Sequence, residues 1–384
     1  MSQTNRVRIF DTTLRDGLQS PGIHPVTLEG RVAIGTKLAA MGVDIIEAGF
    51  AIGGKLDYDT IATLAQKGLD ATVCSLARTK SEDIESAGSA LKGARSGRIH
   101  TFISTSPLHM EHKLRLSPEA VLQAAIDGVK LARSLSDDVQ FSLEDYTRTD
   151  RDFSYRVIEA VIAAGATTIN LPDTVGYATP DEYAELITGV MNTVPNVDKA
   201  VLSTHCHNDL GLAVANSLAG AQAGARQIEC SINGIGERAG NAAMEEIIMA
   251  MRVRRDRLGF ETSIDTKHFM AASELVQELT GMAVQRNKAI VGANAFAHES
   301  GIHQHGVGKN PETYEIMTPD SVGQHKAGIS VGVSSGRDGL RRKLEELGLK
   351  LEKEQVDALY PIFMEEAAKG RVSDAQLKAL AAKV

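Results

Sequence analysis

Eight short runs of apolar and β-branched residues recur along the first two-thirds of the chain, at 7–12, 44–50, 72–77, 98–104, 139–143, 167–171, 201–207 and 227–232. Amphipathic stretches separate them, among them 27–41, 118–134, 155–164 and 180–191, with apolar positions spaced for one face of a helix. Strand-like runs alternating with helical patterns predict βαβ units and a parallel sheet. Eight such units match the size of a (β/α)8 TIM barrel, so the fold class is α/β. An open doubly wound sheet is the alternative, but the Gly-rich loop follows the eighth run rather than the first. The domain reading is 1–260 for the barrel and 261–384 for an appended, mainly helical region. In that region 263–279, 336–347, 353–368 and 373–383 read as helices and 289–323 as irregular.

Polar residues gather where these runs end. The first ends in Asp11-Thr12-Thr13-Leu14-Arg15-Asp16-Gly17 and the second carries Glu47. The fourth holds His100 and the fifth Ser142 and Glu144. The sixth gives Asn170, Pro172 and Thr174, and the eighth leads into Asn233-Gly234-Ile235-Gly236-Glu237-Arg238. In a barrel the carboxyl ends of the strands form the active-site face. The seventh run ends in Thr204-His205-Cys206-His207-Asn208-Asp209. Residues two apart on a strand share a face, so the two imidazoles are half of a metal site. Closure of the ring makes strands seven, eight and one neighbours, which brings Asp16 to His205 and His207. This mixed oxygen and nitrogen set suits Mg, Mn or Zn, with Asn241 a candidate fourth contact.

The formal net charge of -8 and the lack of a basic run argue against a nucleic-acid partner. No apolar run is long enough to span a bilayer, and the start does not read as a signal peptide. Cys74, Cys206 and Cys230 lie unpaired in apolar runs, as expected for thiols in a reducing cytoplasm.

The runs 10–17, 204–211 and 233–241 resemble the 2-isopropylmalate synthase and homocitrate synthase family, as do Phe296-Ala297-His298-Glu299-Ser300-Gly301-Ile302-His303-Gln304 and Tyr314-Glu315-Ile316-Met317-Thr318-Pro319. The resemblance covers nearly the whole chain. It implies a barrel enzyme that condenses acetyl-CoA with a 2-oxo acid on a divalent metal held by Asp16, His205 and His207, with Asn241 beside them. It sets Arg15 against the oxo-acid carbonyl, and Glu144, Thr174, His100, Ser142, Asn170 and Pro172 near the substrate. His303 and Tyr314 match a pair that enters a barrel, in this family usually that of a partner subunit, so a homodimer is expected. A base must remove the methyl proton of the thioester, and the candidates are His303 first and Glu237 second.

The chain departs from the family at Leu18, where Glu is usual and where Leu resembles hydroxymethylglutaryl-CoA lyase. Others are the segment 51–58, Tyr146, and His305 where Asp is usual. The family's leucine-sensing domain would need a longer chain, so that mode of inhibition is not expected here. Gln140, uncharged and two residues before Ser142, predicts an apolar-tailed oxo acid such as 2-oxoisovalerate. Tyr146 and 51–58 leave room for an aryl tail such as that of phenylpyruvate; pyruvate, 2-oxoglutarate and the lyase reaction are the other readings.

Overall fold

In the computed structural model, which describes residues 5–324, 331–370 and 372–384, the eight runs form one closed parallel barrel. Its strands are β1 Arg8–Asp11, β2 Ile45–Phe50, β3 Thr72–Arg78, β4 Gly97–Ser104, β5 Asp138–Glu144, β6 Thr168–Asp173, β7 Val201–Cys206 and β8 Gln227–Cys230. β1 pairs with both β2 and β8, so β7, β8 and β1 are consecutive around the ring. The helices between them are α1 Leu28–Ala40, α2 Lys55–Gln66, α3 Ser81–Ala90, α4 Pro118–Leu135, α5 Arg151–Ala164, α6 Pro180–Thr193, α7 Ala213–Ala223 and α8 Met244–Val253. Local chemistry sets their starts. Thr27, Ser117 and Asp150 each accept a backbone N–H of the first turn with their side chains.

The chain divides into two compact units, Met1–Ala283 and Val284–Val384. The division falls later than residue 260 because α9, Phe269–Thr280, still packs on the barrel. Leu279 meets the Gly30 face of α1, and His24 N donates to the Thr280 carbonyl at 2.8 Å. The second unit holds α10 Gly301–Lys309, α11 Arg337–Glu346, α12 Lys353–Ala367 and α13 Asp374–Ala381. Its core is Leu340, Leu344, Leu359, Phe363, Leu377 and their neighbours. α10 lies inside the stretch read as irregular; its Gly-rich sequence hides the helical period.

The barrel core has two layers of opposite character. Outward-facing Phe141, Leu143, Ile169, Leu171, Leu202 and Ile228 are fully or almost fully buried. Phe10, Ile45 and Cys74 make an apolar patch in the lumen, but from β4 to β8 the lumen is polar instead of filled by the branched apolar side chains usual in such barrels. Arg98, on β4, is 1% exposed and donates to Asp138 and Gln140 on the adjacent β5 and to Gln227 on β8 across the ring. Gln140 Nε2 donates to Glu229 Oε1 at 2.6 Å and lies 3.3 Å from His100 Nε2. His100 bridges Glu47 Oε1 and Ser142 Oγ, each at 2.6 Å. Buried polar groups persist only when paired, and these are paired to one another.

Two sequence expectations change here. Gln140 is buried inside the lumen and bonded to Arg98, Glu229 and Gln227, so it is not a wall of the substrate cavity. Tyr146 is turned into the protein, where its hydroxyl donates to the Leu186 carbonyl at 3.1 Å, so it is not part of the cavity wall and does not shape a pocket for an aryl tail.

Candidate active site

The carboxyl ends of the strands enclose a cavity of about 360 Å³. Arg15, Asp16, His100, Ser142, Glu144, Asn170, Pro172, Thr174, His205, His207 and Glu237, all singled out in the sequence, line it together. Phe50, Leu76, Arg78 and Phe102 line it too, and sequence reasoning missed them. Their signal was available: they lie at or near the carboxyl ends of strands β2 to β4.

Register places the metal candidates. On β7, Pro172 and Glu229 are the neighbours of His205 on the two adjacent strands. β7 ends at Cys206, and His207 is held instead by an isolated bridge to Asn241. The two Nε2 atoms converge to 3.1 Å, and each lies 3.8 Å from Asp16 Oδ2. Asn241 Nδ2 donates to Asp16 Oδ1 at 3.1 Å, while its own Oδ1 is buried with no donor among the described residues. Gly236 is required by this packing. A Cβ there would lie 2.4 Å from Asn241 Nδ2 and 2.8 Å from Asp16 Oδ1.

Charge in the cluster is strongly biased. Burial pushes the Asp16 carboxyl up, but Arg15 and the two imidazoles outweigh it and hold it well below the ordinary carboxylate range. Burial, reinforced by His205, drives His207 down to about 3, so it is a neutral ligand-type imidazole. For His205 burial is overcome by Glu229 and Asp16, and its pKa is raised. A carboxylate, two imidazoles turned to one point and a spare amide oxygen fit a divalent cation, by donor chemistry and by convergence. His205 also has a carboxylate behind it, since its Nδ1 is 2.9 Å from Glu229 Oε2.

Arg15 is clamped from both sides. Nε donates to Glu47 Oε2 and Nη1 to Asp16 Oδ2, both at 2.6 Å, and the side chain is 12% exposed. Burial opposes the ionised form of Glu47, yet Arg15 and His100 bring its pKa down to about 2. Glu144 accepts from Ser104 Oγ and from Lys113 Nζ, the latter at 2.5 Å. Asn170 Nδ2 donates to Ser142 Oγ at 2.8 Å. Thr174 Oγ1 accepts from Asp145 N at 2.9 Å, and Glu237 N donates to Asp16 Oδ1 at 3.1 Å.

His303 and Tyr314 belong to the second unit. Their rings stack with centroids 4.1 Å apart and 23° between planes. His298 lies 6.2 Å from His303 and pairs with Glu315 at 3.2 Å. Ile302 and Ile316 flank the pair and are 76% and 78% exposed.

Residues 6–276 match the family model described as HMGL-like, and residues 290–371 match the homocitrate synthase post-HMGL domain-like model. The 2-isopropylmalate synthase of Aquifex aeolicus is 54% identical over 98% of this chain and 72% of its own length. That of Thiobacillus denitrificans is also 54% identical, over 98% of this chain and 74% of its own. Among solved structures, the hydroxymethylglutaryl-CoA lyase of Pseudomonas aeruginosa superposes with a TM-score of 0.63 at 22% identity, covering 76% of this chain and 97% of that one. The last likeness is one of fold. Identity at this level across nearly the full chain means that the protein belongs to the 2-isopropylmalate synthase family.

Proposed function

We propose that this chain condenses acetyl-CoA with 2-oxoisovalerate and hydrolyses the thioester, the 2-isopropylmalate synthase reaction of leucine biosynthesis. The observation that carries the reading is the convergence of Asp16, His205 and His207 beside Arg15 in one cavity. Asp16, His205, His207 and Asn241 would hold a divalent cation, Mg, Mn or Zn. When bound, such a cation supplies Lewis acidity to a chelating 2-oxo acid. Arg15 stays charged and fixed by its two carboxylates, and we assign it the negative charge that develops on the former carbonyl oxygen. His100, Ser142, Asn170, Pro172 and Thr174 shape the oxo-acid end of the cavity, with Phe50, Leu76 and Phe102 as apolar wall. An aliphatic tail gains about 0.8 kcal/mol per methylene buried there.

The methyl group of acetyl-CoA gives up a proton, its carbanion adds to the ketone carbon, and the new oxyanion takes up a proton. Water then replaces the thiol. We assign proton removal to His303 with Tyr314 beside it, brought to the barrel by a second copy of the chain; Glu144 and Glu237 line the cavity besides the acidic groups Asp16 and Glu229 of the metal cluster. The loop 233–241 holds Glu237 and no cysteine, which sets it apart from the lyase pattern. Three buried free cysteines support a cytoplasmic setting, and no described helix is long and apolar enough to cross a membrane.

The test is thiol release from acetyl-CoA with 2-oxoisovalerate, phenylpyruvate, pyruvate and 2-oxoglutarate. The expected order puts 2-oxoisovalerate first by kcat/KM. A preference for 2-oxoglutarate or phenylpyruvate overturns the substrate reading, and no release with any of them overturns the reaction. Mixing inactive Arg15→Ala and His303→Ala chains is expected to restore activity through hybrid dimers. If subunits exchange and no activity returns, the second-copy assignment is wrong.

A further inference from the structure

The polar lumen below the metal candidates is a chain of hydrogen bonds with one direction. Arg98 is its origin, because a guanidinium has donors and no acceptor. Arg98 Nη1 donates to Gln140 Oε1 at 3.0 Å, and Gln227 Nε2 donates to the same oxygen at 2.8 Å. With its oxygen so occupied, Gln140 must turn its amide nitrogen toward β8, where it donates to Glu229 Oε1 at 2.6 Å. Gln227 agrees with this sense: its oxygen accepts from Arg98 at 2.8 Å and its nitrogen also donates to Ser203 Oγ at 2.9 Å. Arg98, Gln140, Gln227, Ser203 and Glu229 are all buried at 1% exposure or less.

The other oxygen of Glu229 ends the chain. Oε2 is buried and has no donor assigned to it among the described residues, yet His205 Nδ1 stands 2.9 Å away. A buried carboxylate oxygen left without a donor costs about 1–3 kcal/mol or more, so the proton of His205 belongs on Nδ1. We infer that Arg98, acting through Gln140 and Glu229, fixes the tautomer of His205, so that Nε2 offers its lone pair to the divalent cation. Glu229, at the floor of the cavity, and Gln140 and Arg98, in the barrel interior behind it, are then positioning residues for the metal. This rests on the metal-site reading proposed above and deepens it.

The chain predicts what an isosteric change does. In Glu229→Gln, the Gln140 donor draws the new amide's oxygen to itself. The amide nitrogen is left facing His205 Nδ1, which must become an acceptor, and the ring proton moves to Nε2, where the cation should bind. Adding Gln140→Glu reverses the sense: the carboxylate at 140 accepts from Arg98 and from the amide nitrogen. The amide oxygen then faces His205 Nδ1 again. Shape is conserved in both variants; the single variant reverses the bonds and removes one negative charge, and the double variant restores the net charge, at position 140, together with the original sense at His205.

The experiment titrates Mn2+ into the metal-stripped full-length chain and reads free Mn2+ by electron paramagnetic resonance, with circular dichroism to confirm folding. Glu229→Gln is expected to bind about 10–100-fold more weakly than the wild type, and the double variant to recover to within about threefold. A folded double variant as weak as the single one, or a single variant that binds normally, overturns the directional chain. A wild type that takes up no Mn2+ overturns the metal site itself. Nitrogen-15 NMR of histidines in the Zn2+-loaded wild type needs no variant. It is expected to show the His205 proton on Nδ1, and a proton on Nε2 refutes the inference.

Discussion

Asp11, the last residue of β1, makes a direct prediction about pH and stability. Its carboxylate is fully buried; Oδ1 accepts from Thr13 N at 2.9 Å and Oδ2 from Thr13 Oγ1 at 2.8 Å. Burial raises its pKa from 3.8 to about 7, with the charges of Glu47 and Glu245 adding to the rise and the Thr13 bonds offsetting part of it. A carboxyl whose folded pKa is raised favours the fold fully below its unfolded value. That contribution is lost as pH rises through the folded value. Between 3.8 and about 7 the loss runs at about 1.4 kcal/mol per pH unit, about 4 kcal/mol in all. Asp11→Asn keeps an acceptor for Thr13 N and turns an amide nitrogen to Thr13 Oγ1, mimicking the neutral acid. Urea unfolding followed by circular dichroism is the assay. The variant should match the wild type near about pH 4 and exceed it by up to about 4 kcal/mol near about pH 8. Parallel stability profiles for the two proteins across that range would refute the reasoning.

Three further outcomes follow from the site. Glu47→Ala strips a buried carboxylate from Arg15 and His100 and should cost about 3–5 kcal/mol in unfolding free energy, with a loss under about 1 kcal/mol contradicting the clamp. Gly236→Ala drives a methyl into Asn241 and Asp16, so Mn2+ affinity should fall at least about tenfold by the same titration. Tyr146→Phe deletes only the bond to Leu186 and should cost about 1 kcal/mol of stability while KM for the oxo acid is unchanged; a changed KM would return Tyr146 to the cavity.

Much of the barrel was legible because its strands alternate with amphipathic helices, and the observed strand bounds differ from those read in the sequence by only a residue or two. Asp16, His205 and His207 were legible as a group because closure of an eight-stranded ring leaves only β8 between β7 and β1. Glu229 was not singled out, although it sits directly beside His205 in register. Alternate polar residues such as Gln227 and Glu229 in a strand carry no mark that separates a lumen from a solvent face. Gln140 was misplaced for a related reason. It does point inward, but depth along the strand axis decides between cavity wall and interior, and periodicity carries no depth. α10 was hidden by its glycines; α9 was read as a helix, but its packing on the barrel was not, because the change in sequence character near 260 precedes the change in packing.

The lumen's wiring bears on how such barrels can be recombined. A (β/α)8 fold is often pictured as two half-barrels that can be cut and exchanged between strands four and five. Here that cut would part Arg98 from Asp138, Gln140 and Gln227, and His100 from Ser142. Each half would carry donors or acceptors whose counterparts sit on the other. Chimeras of this chain with a distant barrel should therefore be tolerated only when lumen residues travel as a matched set across the seam.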